Sequence, residues 1–96
     1  MNLLFVHQNF PGQFKHLAPA LAAAGHRVRA LAIDGGGAPG VEVLRYRPAR
    51  GNGADTHPYA REFETKMIRG EACAAAALRL KADGFTPDVI VANPAW

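Results

Sequence analysis

Four apolar runs separated by two helical patterns frame the chain. Leu3, Leu4, Phe5 and Val6 are continuously apolar, as expected of a strand buried on both faces of a sheet. The polar, turn-forming stretch His7-Gln8-Asn9-Phe10-Pro11-Gly12 closes it. Phe14, Leu17, Ala18 and Leu21 recur at three- and four-residue spacing, with Gly25 where a left-handed terminator belongs, so a helix packed on the sheet is predicted. Pro19 inside this pattern predicts an irregular first turn or a kink. Val28, Ala30 and Ala32 alternate with Arg29, Leu31 and Ile33 in a second strand that ends at the glycine-rich stretch Asp34 to Gly40. Val41, Val43, Leu44 and Tyr46 interleave with Glu42, Arg45 and Arg47, a more polar alternation suited to an edge strand.

Residues 48–57 are rich in Pro, Gly, Asn and Asp and read as a surface loop. Pro58 then opens a long helix. Tyr59, Phe63 and Met67 share one of its faces, Ala72 to Ala77 carry high helix propensity, and the pattern continues through Leu78 and Leu80 to Gly84, with Gly70 marking a candidate kink. Val89-Ile90-Val91-Ala92 is a fourth strand, ending at Asn93 and Pro94. The order β-α-β-β-α-β predicts an α/β fold with an incomplete Rossmann-like parallel sheet and right-handed crossovers. The short link between the second and third strands leaves an antiparallel hairpin open there. The fourth strand is as apolar as the first and belongs inside a sheet. Nothing after Trp96 covers it, so a single truncated domain over residues 1–96 is expected.

Composition narrows the class. Among 96 residues, 49% are apolar and 20% charged, a folded composition with room for one small core. Eleven Lys and Arg against eight Asp and Glu give a net charge of +3 without a basic block, so nucleic acid is not an expected partner. Cys73 is the only cysteine, which excludes an intrachain disulfide and fits a reducing cytoplasm. No apolar run approaches the roughly 20 residues that span a bilayer, which suits a soluble or peripherally attached protein.

The loop after the first strand is the candidate site, because open α/β sheets bind ligands at the carboxyl ends of their strands. Gly12 would let a backbone N–H approach a phosphate or sugar closely. His7, Asn9 and Gln13 offer hydrogen-bonding groups, and the alternative is a simple turn. Asn93, ending the fourth strand, would lie at the same edge, or would merely start a turn. His57, before Pro58, could donate to an anionic acceptor or cap the long helix, and the cap is preferred. Arg45, Arg47 and Arg50 would steer an acidic acceptor or keep an edge strand soluble, the second being preferred. His16 and His26 read as surface residues, and Gly35 to Gly37 as a flexible connection. No metal motif, nucleophile elbow or phosphate-loop motif is present.

The segment Leu4 to Phe14, then His16-Leu17-Ala18-Pro19-Ala20-Leu21 and Gly25-His26, resembles the opening of bacterial family 4 glycosyltransferases. Arg45-Tyr46-Arg47-Pro48, Thr56-His57-Pro58-Tyr59, and Gly84-Phe85 with Pro87-Asp88-Val89-Ile90 extend the resemblance over nearly the whole chain. It implies the N-terminal, acceptor-side half-domain of a GT-B fold, whose C-terminal half holds a nucleotide-sugar. The implied reaction is retaining sugar transfer, of hexosyltransferase type, to a sugar or glycan acceptor, without a metal or other cofactor. Gly12 inherits a place beside the donor phosphates. The paired-glutamate region of the second half has no counterpart here, and the histidine near the reaction centre would lie beyond Trp96. The 96-residue chain alone is therefore expected to be inactive. The competing expectation is a non-catalytic module that binds a sugar or nucleotide through the same loop, or pairs with a partner through its open sheet edge.

Overall fold

The computed structural model describes residues 1–48 and 57–92. Arg50, Asn93 and most of the predicted 48–57 loop lie outside them, as does the side chain of Tyr59. Four strands, β1 (Asn2–Val6), β2 (Arg27–Ala32), β3 (Glu42–Arg45) and β4 (Val89–Ala92), alternate with two helices, α1 (Leu17–Ala23) and α2 (Arg61–Ala82). The sheet is parallel throughout and ordered β3-β2-β1-β4, in agreement with the predicted Rossmann-like arrangement. Among the described residues no helix is long and apolar enough to cross a membrane.

The central strand explains the two-layer core. Leu3 and Phe5 point to one face, where they meet Phe10, Phe14, Ala18, Val28, Ala30 and Ala32. Leu4 points to the other, with Leu31, Tyr46, Ala76, Leu80 and Phe85. Period-two alternation in a run apolar at every position thus buries both faces. Phe5 and Phe14 meet edge to face with centroids 5.0 Å apart, a favoured aromatic geometry.

The open question of the β2–β3 link is resolved as parallel. Residues 33–41 carry the chain back across the α1 face, where Ala38, Val41 and Val43 pack beside Leu21 and Ala22. The link's own apolar residues thereby cover part of the sheet that a crossover helix would otherwise cover. β3 is an edge, as its sequence implied, and Arg29 on β2 pairs with its register partner Glu42 at 2.8 Å.

Two expectations for the helices change. The helix starts later than its apolar spacing suggested: α1 begins at Leu17 and Pro19 falls in its first turn, where backbone N–H groups lack intrahelical partners anyway. A separate 3-10 turn, Gly12–Phe14, precedes it. In α2 the apolar face does not run through Phe63 and Met67, which are 68% and 51% exposed. Ile68, Ala76 and Leu80 are buried, with Ala72, Cys73 and Ala77 packed around them. The small side chains of this stripe let the helix approach the sheet, and the helix runs through Gly70 without interruption.

The end of α2 feeds β4. The Phe85 N–H donates to the Leu80 carbonyl at 2.9 Å and the Gly84 N–H to the Lys81 carbonyl at 3.1 Å, with Gly84 at φ +92°. This is the paired bonding that closes a helix through a left-handed residue. It drops Phe85 into the core against Leu80. Beyond it, the Asn2 N–H donates to the Asp88 carboxylate and the Asp88 N–H to the Asn2 carbonyl, each at 2.7 Å. β4 then pairs with β1 from Leu3–Val89 to Val6–Ala92. Among the described residues β4 is a sheet edge that nothing covers, as was expected of this chain, with Val89 44% and Ile90 59% exposed.

Candidate functional site

The sheet order places a topological switch point beside β1, since the chain leaves it toward β2 and returns on its other flank as β4. Crevices at such points, outside the carboxyl ends of the strands, are where open α/β sheets hold ligands. The loop that follows β1 there is firmly built. Its Gln8 carbonyl accepts the N–H groups of Ile33 at 3.0 Å and Asp34 at 2.8 Å, and the His7 carbonyl accepts that of Phe10 at 3.2 Å. Asn9 bridges to Asp34. Phe10 is fully buried and anchors the loop from below, and its peptide bond to Pro11 is cis.

His7, Asn9, Gly12 and Gln13 are brought together in this one loop, with Asn9, Gly12 and Gln13 exposed. The His7 imidazole meets the Phe14 ring at 90°, centroids 5.9 Å apart. Its Nδ1 accepts the Asn9 N–H at 3.0 Å. Gly12 has φ +47°, and a Cβ there would meet His7 Nε2, with Cε1 only 2.7 Å and Cδ2 2.8 Å away. The glycine is therefore required both by its backbone conformation and by the ring beside it.

The other expected residues are placed differently. His57 is not the cap of α2, whose N-cap is Ala60. It is exposed, and its carbonyl accepts the Ala60 N–H at 2.8 Å to form the 3-10 turn entering the helix. Asn93 lies outside the described residues, just after Ala92, the register partner of Val6. Arg45 donates to the Gly35 carbonyl at 2.6 Å, a structural contact that neither reading of it had included. Together with the Gln8 and Asn9 contacts, this pins a glycine stretch that was expected to be a flexible connection.

A second feature was missed in the sequence. Between α2 and the β1–β4 side of the sheet lies a cavity of about 330 Å³ lined by Leu4, Val6, Tyr46, Cys73 and Ile90, with Gln8 and Arg69 also on its wall. Arg69 donates to Gln8 Oε1 at 2.8 Å. Burial, and secondarily the neighbouring Cys73, push the Tyr46 phenol up to about 12, and burial raises the Cys73 thiol. The available signal was a charge, Arg69, one helical turn ahead of Cys73 at the edge of an otherwise apolar stripe. Among the described residues no group of His, Cys, Asp or Glu could hold a metal ion.

Comparison with known proteins bears on the part of the chain that builds this edge. No curated protein and no solved structure matches the chain. A protein-family profile, the glycosyl transferase family 4 group, matches residues 24–96. The match starts after α1, so it takes in β2, β3, α2 and β4 but not the loop from His7 to Gln13. It covers well over half of the sequence and takes in three of the four strands of the parallel sheet: the chain belongs to the glycosyl transferase family 4 group.

Proposed function

We propose that the chain is the acceptor-side, N-terminal half of a GT-B glycosyltransferase. The complete enzyme transfers a sugar from a nucleotide-sugar to a sugar or glycan acceptor with retention of configuration, and works in the cytoplasm. The observation that carries this is the position of the β1 loop at the switch point of a parallel sheet in a member of this family.

Sugar transfer breaks the bond between the anomeric carbon and the departing diphosphate, through a transition state with oxocarbenium character. Groups aimed at the developing phosphate charge lower that barrier. In this assignment the Gly12 backbone N–H approaches a donor phosphate, while Asn9 and Gln13 supply polar contacts. Donor binding, and with it turnover, needs a second half-domain, and no metal is assigned a role.

The test is nucleoside diphosphate release by the full-length native gene product, offered a panel of nucleotide-sugars and glycan acceptors, with the 96-residue chain assayed in parallel. Release by the full-length product alone, with the product anomer matching the donor by NMR, supports the assignment. Sugar or nucleotide binding with no turnover by the full-length product would replace it with a binding module.

A further inference from the structure

The β1 loop is closed by a side chain. His7 Nδ1 accepts the N–H of Asn9, two residues on, at 3.0 Å. Asn and Asp close turns in the same way, accepting the i+2 N–H with a side-chain oxygen; here an imidazole nitrogen replaces that oxygen. A ring nitrogen that accepts a hydrogen bond carries no proton, so the neutral ring holds its proton on Nε2. The Nε2 edge occupies the space a side chain at residue 12 would fill, and Phe14 meets the ring at 90°. Gly12 and Phe14 thus fix the ring rotation that turns Nδ1 toward Asn9.

We propose that His7 is a positioning residue, and that the β1 loop keeps its ligand-ready shape only while the His7 imidazole is neutral. When the ring takes a second proton, both nitrogens become donors. Nδ1–H then faces the Asn9 N–H donor to donor, and the contact that held the loop becomes repulsive. The ionisable groups on the elements around the loop are Asp34, bridged to Asn9 at the end of β2, Lys15 and His16 beyond the 3-10 turn, and Arg69 of α2, bonded to the adjacent Gln8. His16 is a second imidazole close to the loop in sequence, so the test must separate the two rings.

The effect on turnover rests on the glycosyltransferase assignment, whereas the effect on the loop does not. In the isotopically labelled chain, long-range proton–nitrogen correlation at about pH 8 is expected to show the Nε2-protonated form of His7. Asn9 amide exchange, corrected for its intrinsic pH dependence, is expected to speed up by roughly three- to tenfold at about pH 5, the loss of one modest hydrogen bond. The amides of Ala30 and Leu31 in the sheet should be unaffected. In His7→Asn, Oδ1 takes the place of Nδ1 and cannot titrate, so Asn9 should stay protected at both pH values. His7→Gln, whose polar atoms lie one carbon further out, should leave Asn9 unprotected at both. An Nδ1-protonated ring, pH-independent protection in the unsubstituted chain, or a pH step that survives in His7→Asn would each overturn the proposal. In the full-length enzyme, the acid limb of kcat/KM should weaken in His7→Asn. Turnover with an unaltered acid limb would count against the role of His7, and absence of turnover at every pH would count against the glycosyltransferase assignment.

Discussion

Gly12→Ala tests whether the β1 loop is built around contact between residue 12 and the His7 ring. Two costs are expected. At φ +47° a residue with a Cβ meets left-handed strain of about 1–2 kcal/mol. The new methyl would also lie 2.7 Å from His7 Cε1, and overpacking of this kind costs about 1–3 kcal/mol unless the ring moves. The gain of about 0.4–1 kcal/mol from restricting the unfolded chain offsets part of the total. Gly84→Ala is the control, because Gly84 also has positive φ but a Cβ there has open space. Urea unfolding followed by circular dichroism should therefore show Gly12→Ala losing about 1–3 kcal/mol more than Gly84→Ala. Adding His7→Ala removes the ring, and Gly12→Ala should then cost no more than the control. Equal costs of Gly12→Ala with and without His7 would refute the packing assigned to this pair, since residues in contact must couple.

Two further predictions concern the opposite face of the sheet. Tyr46 ionises at about 12 in the fold instead of 10.0, chiefly because it is buried, and the Cys73 thiol is raised from 9.0 for the same reason. The folded chain thus holds protons that the unfolded chain releases, so the contribution of these two groups to stability should be constant below about pH 9 and fall as pH rises toward 12. Tyr46→Phe should flatten the decline above pH 10 in urea midpoints measured against pH, and an identical slope in the variant would disprove the assignment. Phe85 is fully buried, with the guanidinium carbons of Arg27 and Arg29 at 5.4 and 4.8 Å from its ring centroid. Phe85→Ala should cost about 3–5 kcal/mol, a large share of a small domain's stability; a loss below about 1 kcal/mol would mean that the α2–β4 turn does not depend on this anchor.

Strand positions were legible because apolar run length and alternation depend only on local sequence. Leu3, Leu4 and Phe5, and Val28, Ala30, Leu31 and Ala32, are buried as their patterns required. The buried face of α2 was harder to read, because its docking stripe is mainly alanine and cysteine. Hydrophobicity favoured the bulkier Phe63 and Met67, whereas close approach favoured the small residues. The β2–β3 link was ambiguous for a similar reason: chain length alone permits two directions, and packing of Ala38, Val41 and Val43 on the α1 face selects one. The candidate loop could be located from strand order, but the Gly12–His7 contact could not, since it depends on the rotation of one ring. The Arg69–Gln8 bond joins residues 61 positions apart, a separation that no local pattern encodes.

The pairing of β1 with β4 also sets a timetable for synthesis. Asn2 and Asp88, which tie the two strands together, are 86 positions apart. At roughly 5–20 residues per second, about 4–17 s of translation separate them. Throughout that interval β1 can be flanked on one side only, by β2, while its other edge stays open to any extended segment nearby. The strand made first is therefore the one whose second neighbour is made last.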